Sequence, residues 1–350
     1  MKSLIFLVLS LSLAYGGRVF TQADVHPLSD EMIDRINSIG TTWKAGRNFD
    51  GSSLPYVKRL LGAKRGSSKK LRQVHHEINE ELPESFDARE AWPNCTQIRT
   101  IRDQGNCGSS WAFSPVEVMS DRICIASHGA LQVSLSAQEI VACSNLGGCD
   151  GGLQVFVYDY YSSEGIVTGG SYRGDGCMPY DFEPCMHGGE GPIPTCPETP
   201  IPTPSCSKKC VAGYDKTFEE DKHYGLVSHV LSSDPKQMMK EIMTNGPISS
   251  GITVYADFLS YFSTQNPLLI FPIELNLLAF LLGVYQKTTN HSLGAQFVRI
   301  IGWGTENGVD YWLVANSWNE YWGDKGFFKI RRGNDECHIE DDIVAGLPKL

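Results

Sequence analysis

The sequence predicts an α+β protein of two subdomains, made as a precursor with a signal peptide and a pro-segment. Three observations carry this. Helical patterning comes first along the chain and strand patterning later; ten of the eleven cysteines fall between 95 and 210; and a basic N-terminal stretch precedes an acidic remainder. A helical body followed by a sheet body packs as two units, and the cleft between them is the expected site. The 350 residues, 41% of them hydrophobic, suffice for one large core or two packed together.

Taken in order, residues 1–16 (MKSLIFLVLSLSLAYG) combine Lys2, an apolar run over 4–13 and the small-x-small end Ala14-Tyr15-Gly16. That is the pattern of a signal peptide, too short for a membrane span. Residues 17–80 carry 11 Lys+Arg and 7 Asp+Glu, net +4, against 18 and 33, net −15, in 81–350. Opposite charges suggest a pro-segment lying on its own mature domain. Within it, residues 28–40 predict a helix capped by Ser29, with Met32, Ile33 and Ile36 at helical spacing. The polar, dibasic stretch Lys64-Arg65-Gly66-Ser67-Ser68-Lys69-Lys70 reads as a processing site.

Residues 104–124, with Trp111, Phe113, Val116, Val118 and Met119, predict a buried helix. Residues 143–215, rich in Gly, Pro and Cys, read as stapled loops. Strands are expected from 248 onward, at 248–254, 297–302, 311–316 and 326–330. The run PLLIFPIELNLLAFLL at 267–282 is apolar, but it is interrupted and too short for a membrane span.

Composition removes some functions. An excess of 40 Asp+Glu over 30 Lys+Arg argues against a nucleic-acid binder and fits a soluble acidic surface. Behind a signal peptide, ten clustered cysteines and one straggler suggest five disulfides and one free thiol. The spacings Cys143-x5-Cys149 and Cys206-x3-Cys210 also suit zinc, but in an oxidising compartment pairing prevails. No metal and no cofactor is expected.

The chemistry gathers at three motifs. Residues 104–113 read Gln104-Gly105-Asn106-Cys107-Gly108-Ser109-Ser110-Trp111-Ala112-Phe113. Residues 294–304 read Gly294-Ala295-Gln296-Phe297-Val298-Arg299-Ile300-Ile301-Gly302-Trp303-Gly304, and Asn316-Ser317-Trp318 follows. The first resembles the C-G-[SA]-C-[WY] signature around the nucleophile of papain-type cysteine peptidases. The others resemble that family's His and Asn segments. The likeness is closer still to cathepsin B. It runs from His26-Pro27-Leu28-Ser29-Asp30 and Thr42-Trp43-Lys44-Ala45-Gly46, through Leu82-Pro83-Glu84-Ser85-Phe86-Asp87 and Asp221-Lys222-His223-Tyr224-Gly225, to 311–319. It covers nearly all of 24–348, and matches this long and varied are highly specific.

The resemblance implies a papain-like fold: a helical left subdomain and a β-barrel-like right one over 81–350, with residues 17–80 as pro-segment. It places Gln104, Ser110, Gln296 and Asn316 at the catalytic positions. Two of them depart from the family, Ser110 standing for Cys and Gln296 for His. Gly151, Gly152, His187, Trp318 and Asp342 fall at substrate-binding positions. The implied disulfides are Cys95–Cys124, Cys107–Cys149, Cys143–Cys206, Cys177–Cys210 and Cys185–Cys196, leaving Cys337 free. The family's occluding loop, with Cys-Glu-His-His, is here Cys185-Met186-His187-Gly188, and His187 is still able to pair with Asp103. The expected partners are peptides, protein substrates or inhibitors in the cleft, and the chain's own pro-segment. The expected location is the secretory pathway, lysosomal or extracellular.

The two departures decide the activity expected. Papain-type catalysis needs a thiolate held by a His. A serine hydroxyl needs a general base, and an amide cannot accept its proton. An inactive homologue with a peptide-binding cleft is therefore expected. An active cysteine-type endopeptidase, and a decoy for inhibitors or peptides, are the rival readings. The run at 267–282 splits Tyr261-Phe262-Ser263 from Gly283-Val284-Tyr285, a stretch continuous in cathepsin B. A translated intron is the favoured origin, over a packed insertion or a partner-facing patch.

Overall fold

The computed structural model describes residues 25–66, 71–262 and 283–350. The predicted signal peptide, Lys69-Lys70 and the apolar run at 267–282 lie outside these.

Ser29 caps the first helix, α1 (Asp30–Ser38), its Oγ accepting from Met32 N at 3.3 Å; Met32 and Ile36 form the buried face. Ser53 caps α2 (Leu54–Leu60) in the same way, with Pro55 in the first turn. Tyr56, Val57 and Leu60 of α2 are buried. Strands β1 (Arg72–Gln73) and β2 (Phe86–Asp87) lead to the short α3 (Ala88–Ala91). Three further helices, α4 (Ser110–Ala126), α5 (Ala137–Cys143) and α6 (Gln154–Ser163), build the left subdomain. The other elements are β3 (Tyr224–Val230), α7 (Pro235–Asn245), β4 (Ile248–Tyr255), β5 (Val284–Tyr285), β6 (Ser292–Glu306), β7 (Val309–Ala315), β8 (Phe327–Arg331) and β9 (Val344–Lys349). Among the described residues the sheet runs β1-β3-β9-β4-β6-β7-β8-β5, with β2 paired to β6.

Two expectations need correction. The loop region 143–215 contains α6, whose Val155, Val157, Tyr158 and Tyr161 are buried. Packing of these large side chains against α4 and β3 overrides their strand-like composition. The sheet also begins before 248: β3 precedes α7, so helix and strand interleave.

The helix α4 is buried almost throughout, from Ser110 to Cys124. It packs on β6 and β9 on one side and on α6 on the other. One core gathers Trp111, Phe113, Val116, Ile140 and Tyr158 around it. The larger core belongs to the sheet and takes in Trp43, Phe49, Tyr56 and Leu60 from the pro-segment beside Ile252, Trp312 and Trp318. The pro-segment is thus part of a continuous interior, each such side chain contributing about 1.5–3 kcal/mol. Charge plays a smaller direct part. Among the described residues, the charged pairs between residues 25–80 and the mature domain are Arg65 with the exposed Asp341 at 3.5 Å, Lys240 with the exposed Glu80 at 2.8 Å, and His76 with the buried Glu241 at 2.6 Å.

Five disulfides join Cys95 to Cys124, Cys107 to Cys149, Cys143 to Cys206, Cys177 to Cys210 and Cys185 to Cys196. Cys337 is free and buried. Cys143 and Cys149, read above as a possible metal pair, bond to different partners.

Candidate active site

Four segments converge on the cleft. Ser110 opens α4, Gln296 lies in the middle of β6, Asn316 follows the end of β7, and Gln104 is tied alongside by its N–H to Ser317 O at 2.9 Å. All four side chains are buried.

The side chains form a closed network. Gln296 Nε2 donates to Gln104 Oε1 at 2.9 Å, to Asn316 Oδ1 at 3.0 Å and to Ser317 Oγ at 3.3 Å. Ser317 Oγ in turn donates to Gln104 Oε1 at 2.8 Å. Asn316 therefore keeps an orienting hydrogen bond to residue 296, but it orients an amide. Two atoms of the network, Gln296 Oε1 and Asn316 Nδ2, are buried without a protein hydrogen-bond partner among the described residues. Ser317 was not singled out from the sequence. Its place directly after Asn316 was the available signal.

Ser110 stands apart from this network. The one hydrogen bond found for its Oγ among the described residues is accepted from Phe297 N at 3.2 Å. Gln296 offers it nothing. His291 sits just before β6, its N–H bonded to Thr289 Oγ1 and its carbonyl to Ala256 N.

The cleft is filled by the pro-segment main chain. Gln104 Nε2 donates to Leu60 O at 2.9 Å and to Cys107 O at 2.8 Å. Gly152 N donates to Gly62 O at 3.0 Å, Lys64 N donates to Gly152 O at 2.9 Å, and Ala63 N donates to Ala295 O at 3.2 Å. The glycine pair is required by this closeness. A Cβ on Gly151, at φ +88°, would lie 2.3 Å from Gly62 O, and one on Gly152 would meet the Trp111 ring at 2.5 Å.

The remaining predicted residues lie outside this network. Trp318 is fully buried, with the pro-segment's Phe49 edge-on at 5.6 Å. His187 Nε2 lies 3.4 Å from Asp103 Oδ1, a loose contact without aligned hydrogen bonding, while its Nδ1 is 2.7 Å from Tyr56 OH. Burial pushes the Tyr56 phenol well above its ordinary pKa. Asp342 is half-buried in a left-handed turn at φ 48°, its carbonyl accepting from Gln154 Nε2 at 2.6 Å. A separate cavity of about 570 Å³, lined by Arg102, Thr168, Tyr214 and Asp221, shares none of these residues. Among the described residues no cluster of three or more His, Cys, Asp or Glu could hold a metal, and no helix is long and apolar enough to cross a membrane.

Comparison with known proteins agrees with this architecture. Residues 82–347 match the family described as papain family cysteine protease, and 28–67 match the peptidase family C1 propeptide. The chain belongs to the papain family of cysteine peptidases. Within it, the chain is 42% identical over 334 residues to a cathepsin B-like cysteine proteinase of Schistosoma japonicum, covering 93% of this chain and 92% of that protein. It is 41% identical to cathepsin B-like cysteine proteinase 6 of Caenorhabditis elegans, covering 92% and 83%. Among solved structures, procathepsin B S9 from Trypanosoma congolense superposes with a TM-score of 0.77 at 34% identity, covering 93% of this chain and all of that one. The chain is thus a cathepsin B-like protein with its own propeptide.

Proposed function

We propose that this cathepsin B-like protein binds peptides in its cleft without hydrolysing them. The observation that carries the proposal is the Gln296 amide. Its donors are committed to Gln104, Asn316 and Ser317, and among the described residues Ser110 Oγ receives only the Phe297 N–H. With neither thiolate nor base, the site lacks the proton transfer on which acyl transfer depends. The parts that hold a peptide remain. The Gln104 amide holds a backbone carbonyl, and Gly152 and Ala295 offer main-chain partners on either side. The pro-segment's use of these groups supports a cleft that recognises extended backbone. Peptides and protein inhibitors of papain-type enzymes are the ligands this chemistry suits, in a lysosomal or extracellular setting.

The test is equilibrium binding to protein whose pro-segment has been removed by a second protease, itself then cleared. A fluorescent Phe-Arg peptide should bind, and a synthetic peptide of residues 54–66 should displace it. No binding, in protein whose circular dichroism remains native, would overturn the retained cleft.

A further inference from the structure

The chain after Thr168 folds back on itself in a tight loop, Ser171-Tyr172-Arg173-Gly174-Asp175-Gly176. Gly174 N donates to Ser171 O at 2.9 Å, and Gly170 N donates to Asp175 O at 2.8 Å across the neck. Arg173 is left-handed at φ 52°, and Gly176, at φ +113°, passes so close to the opposite limb that a Cβ there would lie 2.7 Å from Gly169 N. The neck is held in place. Met178 N donates to Thr168 O at 2.8 Å, the buried Arg102 donates through Nη2 to Gly169 O at 3.1 Å and Gly170 O at 3.0 Å, and Cys177 is bonded to Cys210.

The tip carries one positive and one negative charge on either side of a single glycine. Arg173, Gly174 and Asp175 are exposed in the full chain, so the pro-segment leaves them uncovered. Among the described residues neither charged group has an ion pair or a side-chain hydrogen bond; the Arg173 guanidinium lies over the Tyr172 ring at 4.9 Å. Solvent alone satisfies such charges. Their arrangement goes further than solvation requires. A carboxylate and a guanidinium stand together on a loop with a fixed neck, which loses little conformational freedom on docking. The carboxylate suits an open position on a hard divalent cation held by a partner, and the guanidinium fork suits a partner's carboxylate.

We propose that Arg173-Gly174-Asp175 docks the chain onto a cell-surface adhesion receptor that carries a divalent cation, Asp175 binding the cation and Arg173 an acidic pocket beside it. The proposal takes the extracellular setting of the reading above. It does not depend on what the cleft binds, because among the described residues no hydrogen bond joins 171–176 to Gln104, Ser110, Gln296 or Asn316.

Surface plasmon resonance tests it, with the full chain passed in manganese buffer over an immobilised integrin ectodomain of the class that reads Arg-Gly-Asp. Wild type should bind saturably, and EDTA or a cyclic Arg-Gly-Asp peptide should abolish the signal. Asp175→Glu keeps the charge but shifts it by a methylene, and Arg173→Gln removes the guanidinium; each should weaken binding at least about tenfold. Both side chains are exposed, so both variants should melt as wild type does. The Phe-Arg peptide assay reads the cleft separately, so failure of either reading shows alone. No saturable binding, binding that survives EDTA, or variants that bind as wild type does would overturn the proposal.

Discussion

At the scale of single residues, Gln296 stands where the proposed reading expects a His, and an amide there can hydrogen-bond but cannot act as a base. Gln296 donates to Asn316 at 3.0 Å, and its own Oε1 is buried without a protein partner among the described residues. Acidity acts on other buried groups. Burial pushes Glu117 on α4 up to about 7, against the pull of Arg299 at 3.8 Å. Burial likewise pushes Asp121 up to about 6, although Arg299 bonds it at 2.6 Å. Unfolded carboxyls titrate near about 4, so between about 4 and 7 the native state binds more protons. Their stabilisation is complete below that window and is lost as pH rises through it. His223, pulled down by burial, works the other way, but it is one group against two. Glu241 is pushed up by burial but held well below the usual range by Arg122, His229 and His76, so its contribution is lost only in stronger acid. The melting temperature should therefore be a few degrees higher at pH 5 than at pH 7, and Glu117→Gln should shrink that difference. A wild-type protein more stable at pH 7 would contradict this.

At the scale of elements, α1 and α4 were legible because a cap or a dense apolar run marks them. The core strands β4, β6, β7 and β8 were legible from their β-branched and aromatic residues. The helix α2 was not, since its seven residues form only against the cleft and the larger core. Strand β3 was hidden because Leu226 and Val227 face outward, breaking the alternation that marks a half-buried strand. The segments that bring Gln104, Ser110, Gln296 and Asn316 together were legible as motifs, whereas the Gln104–Gln296–Ser317 network joins residues far apart in sequence. The junction around 263–282 belongs to this scale too. Tyr261 OH donates to Gly283 O at 2.9 Å, so the residues on either side of the run meet directly. Tyr285 beyond it packs edge-on against Phe258 at 5.0 Å. A chain lacking 264–282, with Ser263 joined to Gly283, should keep its melting temperature within a few degrees, because closing a shorter loop is favourable by a small entropic term. Failure of that chain to fold would show the run to be a core piece. Sequencing the transcript separately decides whether the run is encoded in the mature message.

At the scale of the whole molecule, pro-segment and mature domain share one interior, and the pro-segment's main chain occupies Gln104, Gly152 and Ala295, the groups proposed to hold a peptide. This arrangement surrounds a site with serine and glutamine at the reacting positions, so removing the pro-segment should expose a binding cleft and no enzyme. The most direct measurement compares wild type with Ser110→Cys/Gln296→His, both freed of the pro-segment, on a fluorogenic Phe-Arg peptide. Gln104, Asn316 and Trp318 are in place to serve a restored thiolate and imidazole. The double variant should cleave the peptide, with wild type at the detection limit, on the order of a million-fold slower by the precedent of dismantled triads. A wild-type rate within about tenfold of the double variant, a barrier difference of only about 1.4 kcal/mol, would contradict the account.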